Sequence, residues 1–287
     1  MGKKSTIIFL TLLLLKLAGC AKVGFDAESG INVVSREDGS GTRTAFIELF
    51  GIEVKGGDGS KKDLTTKEAI IAKQTDVMMT NIAGNKYGIG YISLGSLNQT
   101  VKPLSINGTV PSSASVKDGS YPAYRPFYIA TKGAPAGIVK DFIGFILSAN
   151  GQSVVSKNYV AVNDRSAAYI GGGQNRGRII VAGSSSVTPV MEKLREAYIV
   201  LNPEVEVEIH QSDSSAGMNA VLNGTCNIGM ASRELKEGEL KELVPAKIAL
   251  DGIVVIINNS NPLTDLPKDQ IRNIFTGKLG RWSDVNK

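Results

Sequence analysis

"INVVSREDGSGTRTAFIELFG", residues 31–51, decides the fold class of this 287-residue chain. It opens with an apolar, β-branched run through Ile31, Val33 and Val34. It passes Arg36 and two acids into Gly39, Ser40, Gly41 and Thr42, then takes up a helical period. Ala45, Phe46, Leu49 and Phe50 share one face of that helix, and Gly51 is placed to end it. Strand, small polar loop, helix is the repeating unit of an α/β protein.

The same grammar recurs downstream. "RIIVAG" leads through "SSSVTP" into a helical period with Val190, Leu194, Ala197, Tyr198 and Leu201 on one face. Thr188 is expected to cap it, with Pro189 at the first helical position. "VEVEIHQ", alternating Val205, Val207 and Ile209, runs into "SDSSAGMNAVLNG". "CNIGMASREL", 226–235, is a weaker fourth case.

Loops of this kind lie together at one edge of an α/β sheet, where ligands bind. Each helix start offers unpaired backbone N–H groups and about half a positive charge. Glycine admits close approach, and serine and threonine hydroxyls add donors, so the set suits an anion. Arg36 supplies one planar, multi-donor cation. The opening loop therefore reads as one wall of an oxyanion cradle.

Composition removes other chemistries. His210 is the single histidine and sits in a strand pattern, which removes H-E-x-x-H and most His-based metal sites and weakens any Ser-His-acid triad. "TGKLG" lacks the leading glycine and the hydroxyl of a phosphate-binding P-loop. "GSG" at 39–41 is not a nucleophile elbow, and "YGIGYISLG" has the wrong spacing for a dinucleotide fingerprint. Binding without catalysis and without a cofactor is the expectation. No basic block or basic-aromatic stripe appears, so nucleic acid is not an expected partner.

The N-terminus reads as a targeting segment. Lys3 and Lys4 precede an apolar run, 7–15, too short to span a bilayer, and "LAGC" follows at 17–20. That pattern resembles a bacterial lipobox, which implies a signal peptide at 1–19, lipidation of Cys20, a tether at 20–30 and anchoring to a membrane surface. Cleavage removes Lys3, Lys4 and Lys16 and takes the formal charge from +5 to +2. Cys226 would then be the remaining thiol, expected to be buried and inert. The stretch 163–178 is polar, glycine-rich and aperiodic, and reads as a surface linker between two blocks.

"VVSREDGSGTRTAF", "AGSSSVTPVMEKL", "QSDSSAGMNAV", "NIGMASREL" and "DGIVVIINNSNPLTDLPKDQIRNIFTGKLGRWSDV" together resemble the phosphate-binding lipoproteins of bacterial ABC-type phosphate importers. The likeness covers nearly all of 31–162 and 179–287. Its order is unusual, because the segment like "VAGSSSVTP" ordinarily comes first. The chain thus resembles a circular permutant whose linker, 163–178, joins the ancestral termini. The resemblance implies a two-lobed periplasmic-binding-protein-like α/β fold with the ligand cleft between lobes. One lobe would be split, 31–125 plus 257–287; the other would be continuous, 126–256, with crossings near "RPFYIATKG" and "VVIINNSN".

The resemblance also implies a monomer that takes inorganic phosphate to an ABC permease. It places Arg36, Ser40, Gly41 and Thr42 at the ligand from one lobe, and Ser186, the backbone of Val187, Ser214 and Ser232 from the other. Ser232 stands where the best-described members carry an aspartate that accepts the proton of hydrogen phosphate. Asp38, Asp213 and Glu234 are candidates for that role. Sulfate or an organic phosphate is the alternative ligand. A phosphate sensor and a secreted phosphatase are readings from other classes.

Overall fold

The computed structural model describes residues 24–57, 60–163, 165–171 and 175–285. The expected signal peptide, 1–19, and Cys20 lie outside the described residues. No helix among those described is long and apolar enough to cross a membrane.

One large sheet carries the molecule. Its strands lie in the order Val205–Ser212, Gly177–Ser184, Ile228–Ala231, Tyr124–Lys132, Leu243–Ile257, Gly88–Ser93, Asn32–Arg36, Ile70–Ala72. The first three pair in parallel, and so do the last three. Between these wings, Tyr124–Lys132 and the long strand Leu243–Ile257 run antiparallel to each other and to their outer neighbours. Two parallel α/β wings joined by an antiparallel pair make the two-lobed architecture, with the C-terminal ends of both wings facing one cleft.

Each wing has its own core. Phe46, Phe50, Tyr91, Ile271, Phe275 and Trp282 are buried together in the first, where the rings of Phe46 and Tyr91 stack at 3.9 Å. Phe127, Phe142, Phe145, Leu194 and Tyr198 are buried together in the second. Along the long strand, Ile248 and Ala249 belong to the second core and Ile253, Val255 and Ile257 to the first. The chain changes lobe over residues 250–252. In the first lobe this strand is an unbroken buried apolar run, Ile253–Ile257, whereas its other half carries exposed residues and a register shift between Lys247 and Ala249.

The helix Gly41–Leu49 forms where the period places it, with Gly51 at φ +66° just beyond its end. The helix Thr188–Leu201 corrects one expectation: Val187 occupies the cap position and Thr188 is already helical. The Thr188 hydroxyl donates to the Ser184 carbonyl at 3.1 Å, a nearby main-chain acceptor that draws it into the turn. The stretch 163–178 is more than a linker. The Tyr169 hydroxyl and Asn175 Nδ2 both donate to Asp141, and Gly177 and Arg178 already belong to a strand.

The two ends of the described chain touch. Ile31 N–H donates to the Gly280 carbonyl at 2.8 Å, and Ser283 N–H to that of Ala27 at 2.6 Å.

Candidate functional site

Four helices begin at the cleft: Gly41–Leu49, Thr75–Gly84, Thr188–Leu201 and Ser214–Leu222. Each follows a strand whose last residues point its loop there, so four sets of free N–H groups and four dipole ends converge.

Arg36 ends its strand with a side chain only 2% exposed. Its Nε and Nη2 donate to the Glu37 carboxylate, both at 2.8 Å. Nη2 also donates to Ser185 Oγ at 3.1 Å, and Nη1 to Thr75 Oγ1 at 3.3 Å. The Arg36 backbone is fixed from both sides: its N–H donates to the Tyr91 hydroxyl at 3.1 Å, and its carbonyl accepts from Arg43 Nη1 at 2.6 Å. Burial pushes the Tyr91 phenol up, so it stays a neutral hydroxyl with a lone pair for that N–H.

Around Arg36 the hydroxyls of both lobes meet. Thr42 Oγ1 lies 2.8 Å from Ser186 Oγ, and Thr75 Oγ1 lies 3.3 Å from both Ser185 Oγ and Ser186 Oγ. Deeper in the second lobe, Ser184 Oγ donates to Ser232 Oγ at 2.9 Å, and Ser214 Oγ lies 3.4 Å from the same atom. Ser232 N–H donates to Ser214 Oγ at 3.1 Å.

Gly41 closes the ring between these groups. A Cβ there would stand 2.5 Å from Ser214 Oγ and 2.8 Å from Ser232 Oγ. Across the same seam, Ser215 N–H donates to the Gly39 carbonyl. The glycines of the opening loop thus permit close approach of the opposite lobe.

Of the residues singled out in the sequence, Arg36, Thr42 and Ser186 share one hydrogen-bonded cluster, and Gly41, Ser214 and Ser232 adjoin it. Ser40 spends its side chain on the helix cap, accepting from Arg43 N–H at 3.3 Å. The Val187 N–H is engaged by the Ser184 carbonyl at 3.0 Å.

Of the three acids considered as proton acceptors, Asp213 stands at the seam, its carboxylate packed against Gly39 of the opening loop, while Asp38 and Glu234 face solvent. The Asp38 side chain is 97% exposed and pairs with Arg43. Asp213 caps its helix at Ala216 N–H, and Glu234 is exposed. Glu37 is the carboxylate bonded into the cluster. Sequence reading missed Glu37, Thr75, Ser184 and Ser185. Thr75 opens a helix after a three-residue strand with no glycine in its loop, which leaves little local signal.

Chemically, the site offers hydroxyls, backbone N–H groups and one guanidinium already balanced by a carboxylate. That set recognises a small, compact oxyanion by many directed hydrogen bonds and little net charge. Among the described residues no cluster of His, Cys, Asp or Glu could hold a metal ion.

The family described as the PBP superfamily domain matches residues 22–150 and 171–287. A protein of Streptococcus agalactiae serotype V named phosphate-binding protein PstS 2 is 49% identical over 274 residues, 94% of this chain and 93% of that protein. Its namesake in Streptococcus pneumoniae serotype 4 is 44% identical over 90% of this chain and 89% of that one. The crystal structure of a phosphate ABC transporter phosphate-binding protein from Streptococcus pneumoniae TIGR4 is 43% identical. It superposes with a TM-score of 0.70 over 90% of this chain and 100% of that one. The chain belongs to the PBP superfamily and, within it, to the family of these streptococcal binding proteins.

Proposed function

We propose that the protein captures inorganic phosphate outside the cytoplasm and delivers it to the permease of an ABC importer. The carrying observation is the cluster in which Arg36, Thr75, Ser185 and Ser186 bond one another across the cleft beside Thr42. A tetrahedral oxyanion has acceptors on every face and can replace these hydroxyl-to-hydroxyl bonds with shorter charge-assisted ones. The names of the full-length relatives support phosphate as that oxyanion. Their transport role supports a carrier rather than an enzyme.

In this reading the protein works as a monomer, tethered through a lipid on Cys20, and needs no cofactor. It is also a circular permutant of the ordinary family order. The contact between 27–31 and 280–283 supports that reading, because permutation requires termini that lie together. The Arg36 loop then comes from the split lobe and the Ser184–Ser186 loop from the continuous one.

Sulfate is the second reading, favoured by the uncharged Ser232 at the proton-acceptor position. Calorimetric titration of the chain from residue 21 with phosphate, with and without excess sulfate at neutral pH, tests both. Phosphate binding that sulfate does not displace is expected. Preference for sulfate would replace the ligand, and binding of neither would overturn capture.

A further inference from the structure

Where the chain crosses between lobes lies a buried charge pair outside the hydroxyl cluster. Arg125 and Asp251 face each other across the two crossing strands, with side chains 2% and 0% exposed. Arg125 Nη2 donates to Asp251 Oδ2 at 3.2 Å. The other carboxylate oxygen reaches into the first lobe, accepting from Ser93 Oγ at 2.8 Å and from Gly95 N–H at 3.4 Å. Tyr159, from the second lobe, lies so close over Gly95 that a Cβ there would run into its ring. One carboxylate therefore ties both crossing strands to the first lobe at the point where the second packs on it.

The pair is poorly built for stability alone. Among the described residues, buried Arg125 Nε and Nη1 find no hydrogen-bond partner. A buried ion pair with unmet donors is weaker than apolar packing of the same volume. Its position is more telling. Ser93 ends the strand beside Asn32–Arg36, at the same edge as Arg36, and the guanidinium of Arg125 feels the charge of Arg36.

We propose that Arg125 and Asp251 are positioning residues for anion capture, a charge pair between the crossing strands in which Asp251 takes up a proton from solvent when the anion binds. The proposal rests on the oxyanion reading above. An anion arriving beside Arg36 disfavours a second negative charge nearby, and neutralising Asp251 frees Arg125 to face the anion. Around Asp251 stand Arg125 from its own strand's partner, Ser93 and the Gly95 N–H from the first lobe, and the phenols of Tyr121 and Tyr159. Burial, then the Asp251 charge, pushes both phenols up, so they stay neutral. Burial holds Asp251 itself up at about 6, against the pull of Arg125. It is the member of the group that titrates near neutrality.

The test compares phosphate titrations of wild type and Asp251→Asn from pH 5.5 to 7.5, each in two buffers of different ionisation enthalpy. Phosphate's own ionisation is common to both proteins. Wild type should take up more protons than the variant. Its affinity should rise on acidification by roughly five-fold more than the variant's, within the usual span of site-to-site coupling. Superimposable proton counts and profiles would overturn the proposal while leaving phosphate capture intact. Should the variant fail to fold, carboxyl ¹³C NMR of wild type decides instead. The Asp251 midpoint should rise with phosphate by about half a unit or more, and an unmoved midpoint overturns it. If wild type binds no phosphate, capture of phosphate falls and sulfate serves as the probe for the same comparison. Binding of neither overturns both.

Discussion

Thr42 Oγ1 and Ser186 Oγ stand 2.8 Å apart, though 144 residues separate them in the chain. Each sits beside a helix start, one in each lobe, so this bond bridges the cleft at the proposed ligand site. Replacing Thr42 by Val, or Ser186 by Ala, removes one hydroxyl from the proposed ligand shell. Each should weaken phosphate by about 1–2 kcal/mol, read by calorimetry, with little change in melting temperature.

Arg36→Met should be far more severe. It deletes the cation and leaves the Glu37 carboxylate partly buried without its two guanidinium bonds. Binding should fall by about 2–5 kcal/mol. Glu37→Gln in the same background should recover part of the loss, because it removes the unpaired charge. A double variant no better than Arg36→Met would show that Glu37 matters little.

Gly41→Ala tests closure itself. Helical backbone suits alanine, yet its Cβ would meet Ser214 and Ser232 of the other lobe. Overpacking of this kind costs about 1–3 kcal/mol, and here it falls on the closed form. Affinity should drop while the melting temperature without ligand holds or rises. Unchanged affinity would mean that the lobes meet differently when ligand is bound.

Tyr91→Phe isolates the support of Arg36. The variant keeps the stack on Phe46 but strips the acceptor from the Arg36 N–H and the partner from Ser35 Oγ, both buried. Stability should fall by about 1–3 kcal/mol, with a parallel loss of phosphate affinity. A stability loss without an affinity loss would remove Tyr91 from the site's support.

Acid should loosen the second lobe through Glu239. Burial alone would raise its carboxyl, but hydrogen bonds from Arg233 and from Lys236 N–H outweigh it and hold the group below its ordinary value. A depressed folded value gives stability that is present above the unfolded value, near 4.5, and lost as pH falls through the folded one. Denaturation midpoints of wild type should therefore fall between pH 5 and 3 more steeply than those of Glu239→Gln. Asp251 acts in the opposite sense, since its raised value loses stability as pH climbs through about 6.

The sequence by itself determined the α/β class, the helices after the polar loops, and the anion character of those loops. These follow from short-range causes: apolar period, glycine placement and hydroxyls at helix starts. The opening loop itself pointed to Arg36, whereas Thr42 and Ser186 were named through the resemblance of their loops to the phosphate-binding lipoproteins. Tertiary structure alone decided the rest. Glu37 pairs with Arg36 because the strand end turns both side chains into the cleft, while Asp38, one residue on, points to solvent. Thr75 joins the cluster through a helix whose start has no local mark. Arg125 and Asp251 meet only because two strands cross between lobes side by side, 126 residues apart in the chain. Local pattern fixes which groups stand at a helix end, whereas pairing between distant strands fixes which charge stands beside which.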